Sequence, residues 1–282
     1  MTSPSTGGLL LGVSGFLQKG REEFEPLLKA LGPEWEDRRT PLPDHDRGWL
    51  ALAGTDPRNW PDRLLASVNE ELARHPQGVR KAVVLYSMGN VAASRALLQH
   101  PDVEVVISIA PAFRLPPYFD WPLRAVLFLY EYFLLFLFWL RWLPLPTLQA
   151  PCYSAGPDAP TFRYIPLIVA ARLLQLQEQT RQLWTEDGAE WRRQFRGQAL
   201  VIQGESDRVV DIASSREFAH DLGPRCRYES LADVGHDVMG EAAPHVVPEL
   251  LRMLTRAPRR TPVEATSAGR LPPAPSSRDF TA

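Results

Sequence analysis

The sequence predicts an α/β fold, a mainly parallel sheet with helices on both faces, and three observations carry that expectation. Short apolar runs that read as strands alternate with stretches whose apolar residues recur at helical spacing. The chain has 282 residues, 45% of them hydrophobic, which is enough apolar material for one large core. A serine, an aspartate and a histidine each come just after one of the strands, at the carboxyl ends where parallel sheets build their sites.

Taken in order, Gly8-Leu9-Leu10-Leu11-Gly12-Val13 is the first strand, and Ser14-Gly15-Phe16-Leu17 is the turn that leaves it. Glu22 to Leu31 reads as a helix, and Pro61 to Leu72 as a clearer amphipathic one. The run Val83-Val84-Leu85-Tyr86 is a buried strand that stops at Ser87, and Val91 to Leu98 reads as the helix beyond it. Val103 to Ile109 is the next strand, leaving through Ala110-Pro111-Ala112-Phe113. Ala199-Leu200-Val201-Ile202-Gln203-Gly204 is a strand closing on a glycine, with a loop from Glu205 to Val210. Cys226 to Leu231 is the last strand, followed by the loop Ala232-Asp233-Val234-Gly235-His236-Asp237 and, from Pro248 to Leu254, a final helix.

The segment Tyr86-Ser87-Met88-Gly89 says most about chemistry. A serine on a tight strand-to-helix turn has its hydroxyl pushed clear of the backbone, and the first helical turn offers free N–H groups beside it for a developing oxyanion. That is the mechanical content of a nucleophile elbow, G-x-S-x-G, although a serine at such a junction also commonly serves as a helix N-cap. Asp207 lies just past a strand-closing glycine, and His236 sits in a loop after Gly235. Asp211, Asp233 and Asp237 are rivals for the acid by proximity in sequence, but Asp207 alone follows the strand–glycine pattern. His45 is expected on a surface loop, and His75, His100, His220 and His245 at solvated helix ends or loops.

Serine, then aspartate, then histidine is the chain order of α/β-hydrolases, and the chain resembles that superfamily over roughly residues 8 to 255. Within it the likeness is to the bacterial carboxylesterase and monoacylglycerol-lipase-like branch, carried by Ser14-Gly15-Phe16, Ser87-Met88-Gly89, Ser108 to Phe113 and Val201 to Val210. The resemblance implies a serine hydrolase with Ser87 as nucleophile, His236 as base and Asp207 as the residue that orients it. It also implies an oxyanion hole from the backbone N–H groups of Phe16 and Met88, and no metal or organic cofactor. Three positions depart from the pattern: Leu85 replaces the first elbow glycine, Asn90 a frequent third glycine, and Ser14 a histidine. None deletes a reacting group, yet they leave open a catalytically weak relative that binds or scaffolds.

Residues 114–198 form a long insertion that the resemblance identifies as a cap or lid over the core formed by residues 8–113 and 199–255. Within it, residues 125–140 are apolar on every helical face, interrupted by Glu131 and bounded by Arg124 and Arg141. The run is shorter than the roughly 20 apolar residues of a membrane span. A membrane span, a lid touching lipid, and a buried cap helix or dimer contact remain alternatives. The expected partner is a small acyl ester, with peripheral membrane contact through 125–140 left open and the oligomeric state undetermined. A net charge of −2 gives no reason to expect nucleic acid. The two cysteines, Cys152 and Cys226, have no metal spacing and read as unpaired thiols, with a disulfide between them the alternative. Residues 1–7 read as a flexible start without the basic segment of a secretory signal, so a cytoplasmic location is expected, membrane association being the alternative. Residues 256–282, rich in Pro, Ser, Thr, Ala and Arg, read as a disordered tail.

Overall fold

The computed structural model describes residues 8–16, 24–45, 51, 54–75, 79–118, 120–121, 124–125, 144–146 and 164–256. The readings of the start at 1–7, of nearly all of the apolar run 125–140, of Cys152 and of the tail therefore lie outside the described residues.

Six of the described strands form one sheet: β1 (Gly8–Val13), β2 (Glu36–Thr40), β3 (Arg80–Tyr86), β4 (Val105–Ile109), β7 (Gln198–Gly204) and β8 (Cys226–Leu231). Their order across the sheet is β2-β1-β3-β4-β7-β8, and every neighbouring pair is parallel. The short strands β5 (Pro144–Pro146) and β6 (Tyr164–Pro166) pair antiparallel with each other, apart from this sheet. The helices are α1 (Glu25–Leu31), α2 (Trp60–Arg74), α3 (Met88–Gln99), α4 (Leu167–Gln194), α5 (Ile212–Leu222) and α6 (Val238–Arg256).

Because side chains alternate along a strand, each strand feeds two cores. Leu9, Val83, Leu85, Val106 and Val201 enter one apolar cluster with Trp60, Val91, Trp184, Trp191 and Phe218, which come from α2, α3, α4 and α5. Leu10, Val84, Tyr86, Ile107 and Ile202 enter the other with Leu27, Leu31, Leu250 and Leu254 from α1 and α6. A strand covered on both faces is apolar along most of its length, which is why β1, β3, β4 and β7 were legible as mainly hydrophobic runs. The helix α4, the last described helix before β7, belongs to this packing. Its Gln177 donates to the carbonyl of Ala112 at 2.6 Å, and its Trp184 indole N–H donates to Ser94 Oγ on α3 at 2.9 Å. Among the described residues no helix is long and apolar enough to cross a membrane.

Several elements depart from the sequence reading. The strand β2, with the sequence Glu-Asp-Arg-Arg-Thr, has no apolar residue to betray it. It lies at the sheet edge with β1 as its one neighbour among the described strands, where charged side chains reach water and discourage further pairing. The last helix starts at Val238 rather than Pro248 and runs through Pro244 and Pro248. Both prolines are exposed, so the carbonyls one turn earlier, deprived of a partner N–H, face solvent rather than the core. The helix α5 was not anticipated; Asp211 opens it by accepting from the N–H of Ala213 at 3.1 Å. His45 is buried at 1% exposure rather than on a surface loop. Its ring centroid lies 5.2 Å from those of Phe16 and Trp60, both edge-on, and burial in that aromatic setting removes it from water. Cys226 is a free, half-buried thiol, and burial pushes its pKa up to about 12.

Candidate active site

The turn from β3 into α3 places Ser87. Its backbone has φ 49° and ψ −120°, a region that residues with a Cβ rarely adopt, so surrounding bonds must hold it. The Ser87 N–H donates to Ile109 O at 2.8 Å, and the N–H of Ala112 donates to Ser87 O at 3.3 Å, tying the turn to the exit of β4. Asn90 completes the clamp. Its Nδ2 donates to Ser87 O at 3.1 Å and to Ile109 O at 3.3 Å, while its Oδ1 accepts from Ser108 Oγ at 2.6 Å. Asn90, Ser108 and Leu85 are all fully buried. Two of the departures from the resembled pattern thus have a physical account: Leu85 packs into the core, and Asn90 substitutes side-chain hydrogen bonds for backbone freedom.

A test follows from that clamp. Asn90→Ala leaves the Ser108 hydroxyl without its acceptor and releases the strained carbonyl, and each such loss costs about 1–3 kcal/mol. We expect a lower melting temperature and about a 10-fold slower reaction of Ser87 with a fluorophosphonate. Ser108→Ala is expected to add little on top of Asn90→Ala, because the two share one network. A double-mutant cycle in both readouts checks this, and full additivity would deny the clamp.

Gly89 explains the small residue after the serine. A Cβ there would lie 2.5 Å from Val13 O and 2.6 Å from Ser14 O, so α3 begins directly against the exit of β1. That close approach brings the loop carrying Phe16 beside the first turn of α3, where Met88 is the first helical residue. Ser14, the third departure, is fully buried, and its Oγ has no hydrogen-bond partner among the described residues.

Across the sheet, β7 ends at Gly204 and β8 at Leu231, and their exit loops meet Ser87. His236 Nε2 lies 3.0 Å from Ser87 Oγ, and His236 Nδ1 lies 2.8 Å from Asp207 Oδ2. The three residues are 2–8% exposed, so their hydrogen bonds are largely shielded from water. Gly204 permits the meeting: a Cβ there would collide with the carbonyl oxygens of Val234 and Gly235, next to the histidine.

The surrounding bonds fix both partners. Asp207 Oδ1 accepts from the N–H groups of Val209 at 2.7 Å and Val210 at 3.1 Å, while Oδ2 accepts from Gln203 Nε2 at 2.8 Å. Burial opposes ionisation of Asp207, but the charge and hydrogen bond of His236 and the two backbone N–H groups outweigh it, so its pKa is lowered. The histidine loop is held by Tyr86, whose hydroxyl donates to His236 O at 2.8 Å, and by Glu241, whose Oε2 accepts from Gly235 N–H at 2.7 Å. The rival aspartates do other work. Asp237 accepts from Gly240 N–H at 2.9 Å in the first turn of α6, Asp211 caps α5, and Asp233 occupies an exposed turn.

Ser87, His236 and Asp207 are therefore brought together, with Met88 and the Phe16 loop at the serine's side. Sequence reasoning missed Tyr86, Gln203 and Glu241 and saw Asn90 only as a departure from the elbow pattern; the visible cue to Gln203 was a lone amide in the otherwise apolar run 199–204. Among the described residues no three His, Cys, Asp or Glu side chains gather into a metal site.

A parallel sheet carrying a serine on a strained strand–helix turn, hydrogen-bonded to a histidine and through it to an aspartate, defines a serine hydrolase of the α/β-hydrolase superfamily. The chain belongs to the Hydrolase_4 family (serine aminopeptidase, S33), whose sequence profile matches residues 64–243. No curated protein sequence matches it. Among solved structures it is similar to a lipolytic enzyme of the metagenome-derived LipS and LipT pair, with 17% identity and a TM-score of 0.64 over 89% of this chain and 94% of that one. It is also similar to the monoacylglycerol lipase of Paleococcus ferrophilus, at 14% identity and a TM-score of 0.61 over 91% and 96% of the two chains. A soluble variant of the Saccharomyces cerevisiae monoglyceride lipase matches at 15% identity and a TM-score of 0.62, over 90% and 88%. At these identities the likeness establishes the fold.

Proposed function

We propose that this chain hydrolyses carboxylic esters of apolar acyl groups through an acyl-enzyme on Ser87. The observation that carries the reading is the unbroken hydrogen-bonded string from Ser87 Oγ through His236 to Asp207. In the neutral histidine, Nδ1–H donates to Asp207 and Nε2 accepts from the serine hydroxyl. Ser87 Oγ attacks the acyl carbonyl as its proton passes to Nε2, and the negative charge on the carbonyl oxygen is met by the N–H groups of Phe16 and Met88. A donor of this kind contributes about 100- to 1,000-fold to rate. The imidazolium returns the proton to the departing alcohol. Water, deprotonated by the same nitrogen, then attacks the acyl-enzyme, and the adduct collapses to a carboxylic acid as the imidazolium returns the proton to Ser87 Oγ.

The preference for apolar esters draws on the Leu- and Phe-rich run 125–140 in the segment read as a cap, residues 114–198, and on the lipolytic substrates named for the similar structures. The same reading keeps contact with lipid through that run, and a cytoplasmic site of action, as parts of the proposal. Each acyl methylene that becomes buried adds about 0.8 kcal/mol of binding, so burial of only two of the extra methylenes should raise kcat/KM for octanoyl over acetyl esters by about 10-fold. A p-nitrophenyl ester series measured beside aminoacyl p-nitroanilides tests this. Equal turnover of acetyl and octanoyl esters would overturn the apolar preference, and faster cleavage of the anilides would favour the peptidase chemistry in the family's description.

The pH dependence has a defined sign. Hydrolysis should decline as pH falls and His236 takes up the proton that blocks it as a base. Asp207, with its lowered pKa, stays ionised through that range, so it does not contribute to the decline. A rate that does not fall on the acid side would remove His236 from the role of base.

A further inference from the structure

Behind Asp207 lies a second layer of buried polar side chains that the proposed reaction does not use. Gln203 is the penultimate residue of β7, fully buried after the apolar run Ala199-Leu200-Val201-Ile202. A primary amide in such a place is costly unless its groups are bonded. Its Nε2 donates to Asp207 Oδ2 at 2.8 Å and to Gly204 O at 3.2 Å, and its Oε1 accepts from Ser215 Oγ at 2.7 Å. Ser215, on α5, is itself fully buried. An ionised carboxylate only accepts, so the amide must present its NH2 to Asp207; Ser215 then satisfies the carbonyl at the other end.

We infer that Gln203, supported by Ser215, is a positioning residue that sets both the orientation of Asp207 and the strength of its hold on His236. The inference rests on reading Ser87, His236 and Asp207 as a triad. The Oδ2 atom is shared by two donors at the same 2.8 Å distance, His236 Nδ1 and Gln203 Nε2. With Oδ1 taken by two backbone N–H groups, the carboxylate has a donor in each direction and cannot rotate without losing bonds. The donation from Gln203 also draws on negative charge that would otherwise act on the imidazolium. Without it, Asp207 is a stronger partner for protonated His236, and the histidine releases its proton at higher pH. The freed carboxylate then orients the imidazole less well, and the rate falls even where His236 is neutral.

Substitution at residue 203 or 215 removes none of the other polar and charged groups near the histidine in space or in sequence. They are the Ser87 hydroxyl, Tyr86 with its ring 5.9 Å away, Asp237 and Glu241 at the start of α6, Asp233 in the same loop, and Arg208 beside Asp207. Gln203→Met keeps length and volume while removing the donor, and Ser215→Ala leaves Gln203 in place but unsupported. For each full-length variant, the titration of His236 is read by NMR with 13C-labelled histidine, its signal assigned from His236→Ala. Fluorophosphonate labelling rates across pH and melting temperatures are measured alongside.

Gln203→Met is expected to move the His236 midpoint upward by about 0.5 pH unit or more. The plateau labelling rate should fall about 10-fold. Ser215→Ala should shift the midpoint in the same direction by less, and it decides the matter alone if Gln203→Met does not fold. Unchanged midpoints, with labelling lost only in proportion to the folded fraction, would overturn the inference and leave Gln203 a packing residue. Shifted midpoints in a wild type that does not label would uphold the inference about Asp207 and sink the nucleophile reading instead.

Discussion

Ser87→Ala and His236→Ala are each expected to reduce ester hydrolysis by roughly ten-thousand- to a million-fold, because a nucleophile and its base act as one unit. The geometry is the reason: Ser87 Oγ and His236 Nε2 lie 3.0 Å apart in a buried setting, where water is poorly placed to replace either. Intact mass after incubation with a fluorophosphonate reads the outcome directly, as one adduct on wild type and none on either variant. Labelling that persists in Ser87→Ala would move the nucleophile elsewhere. Backbone strain supplies an independent check. Ser87→Ala and Ser87→Gly both lose the hydroxyl, but only glycine relaxes a φ of 49°. The glycine variant should therefore unfold at higher temperature, by a difference on the order of 1 kcal/mol.

Asp207→Asn should cost about ten-thousand-fold in turnover while leaving the fold in place, for a reason written in its partners. Every group that faces the carboxylate is a donor: Val209 and Val210 N–H on Oδ1, His236 Nδ1 and Gln203 Nε2 on Oδ2. An asparagine has one acceptor oxygen. If that oxygen keeps the backbone N–H groups, its NH2 meets His236 and favours the tautomer with the proton on Nε2. In that tautomer the nitrogen facing Ser87 already carries a proton and cannot remove another. Steady-state kinetics of Asp207→Asn, with labelling rates in parallel, measure this, and retention of a tenth of wild-type activity would contradict it.

The same substitution carries a stability signature. The folded-state pKa of Asp207 lies below the unfolded value of about 3.9, so its contribution is fully present above that value and is lost as pH falls through the folded one. Denaturant unfolding across the acid range should show a weaker pH dependence for Asp207→Asn than for wild type.

The legibility of this chain follows burial. The central strands declared themselves because they are covered on both faces, whereas β2, without an apolar residue and paired along one edge among the described strands, did not. The sequence reading began α6 at Pro248 and missed the turns before it, because a sequence does not say which face of a helix is wet. The positions of Ser87, Asp207 and His236 were visible for a local reason. Each follows a strand, and the glycines at 89 and 204 leave room for another loop's backbone at that point. Tyr86, Asn90 and Gln203 carried no such mark. Tyr86 meets His236 across 150 positions of chain, and Asn90 matters through Ser87 and Ser108 rather than through its own neighbours in sequence.

By itself the sequence determined the fold class, the central strands and the chain order of the candidate serine, aspartate and histidine, since local periodicity and strand-end glycines depend on near neighbours alone. Tertiary structure decided the rest. Contact between loops far apart in the chain set the hydrogen-bonded order of those residues. It also buried His45 against Phe16 and Trp60, and made Asn90 and Gln203 into supports of a strained serine and a shared carboxylate. The physical reason is that a buried polar side chain takes its role from whichever donor or acceptor the fold brings to it.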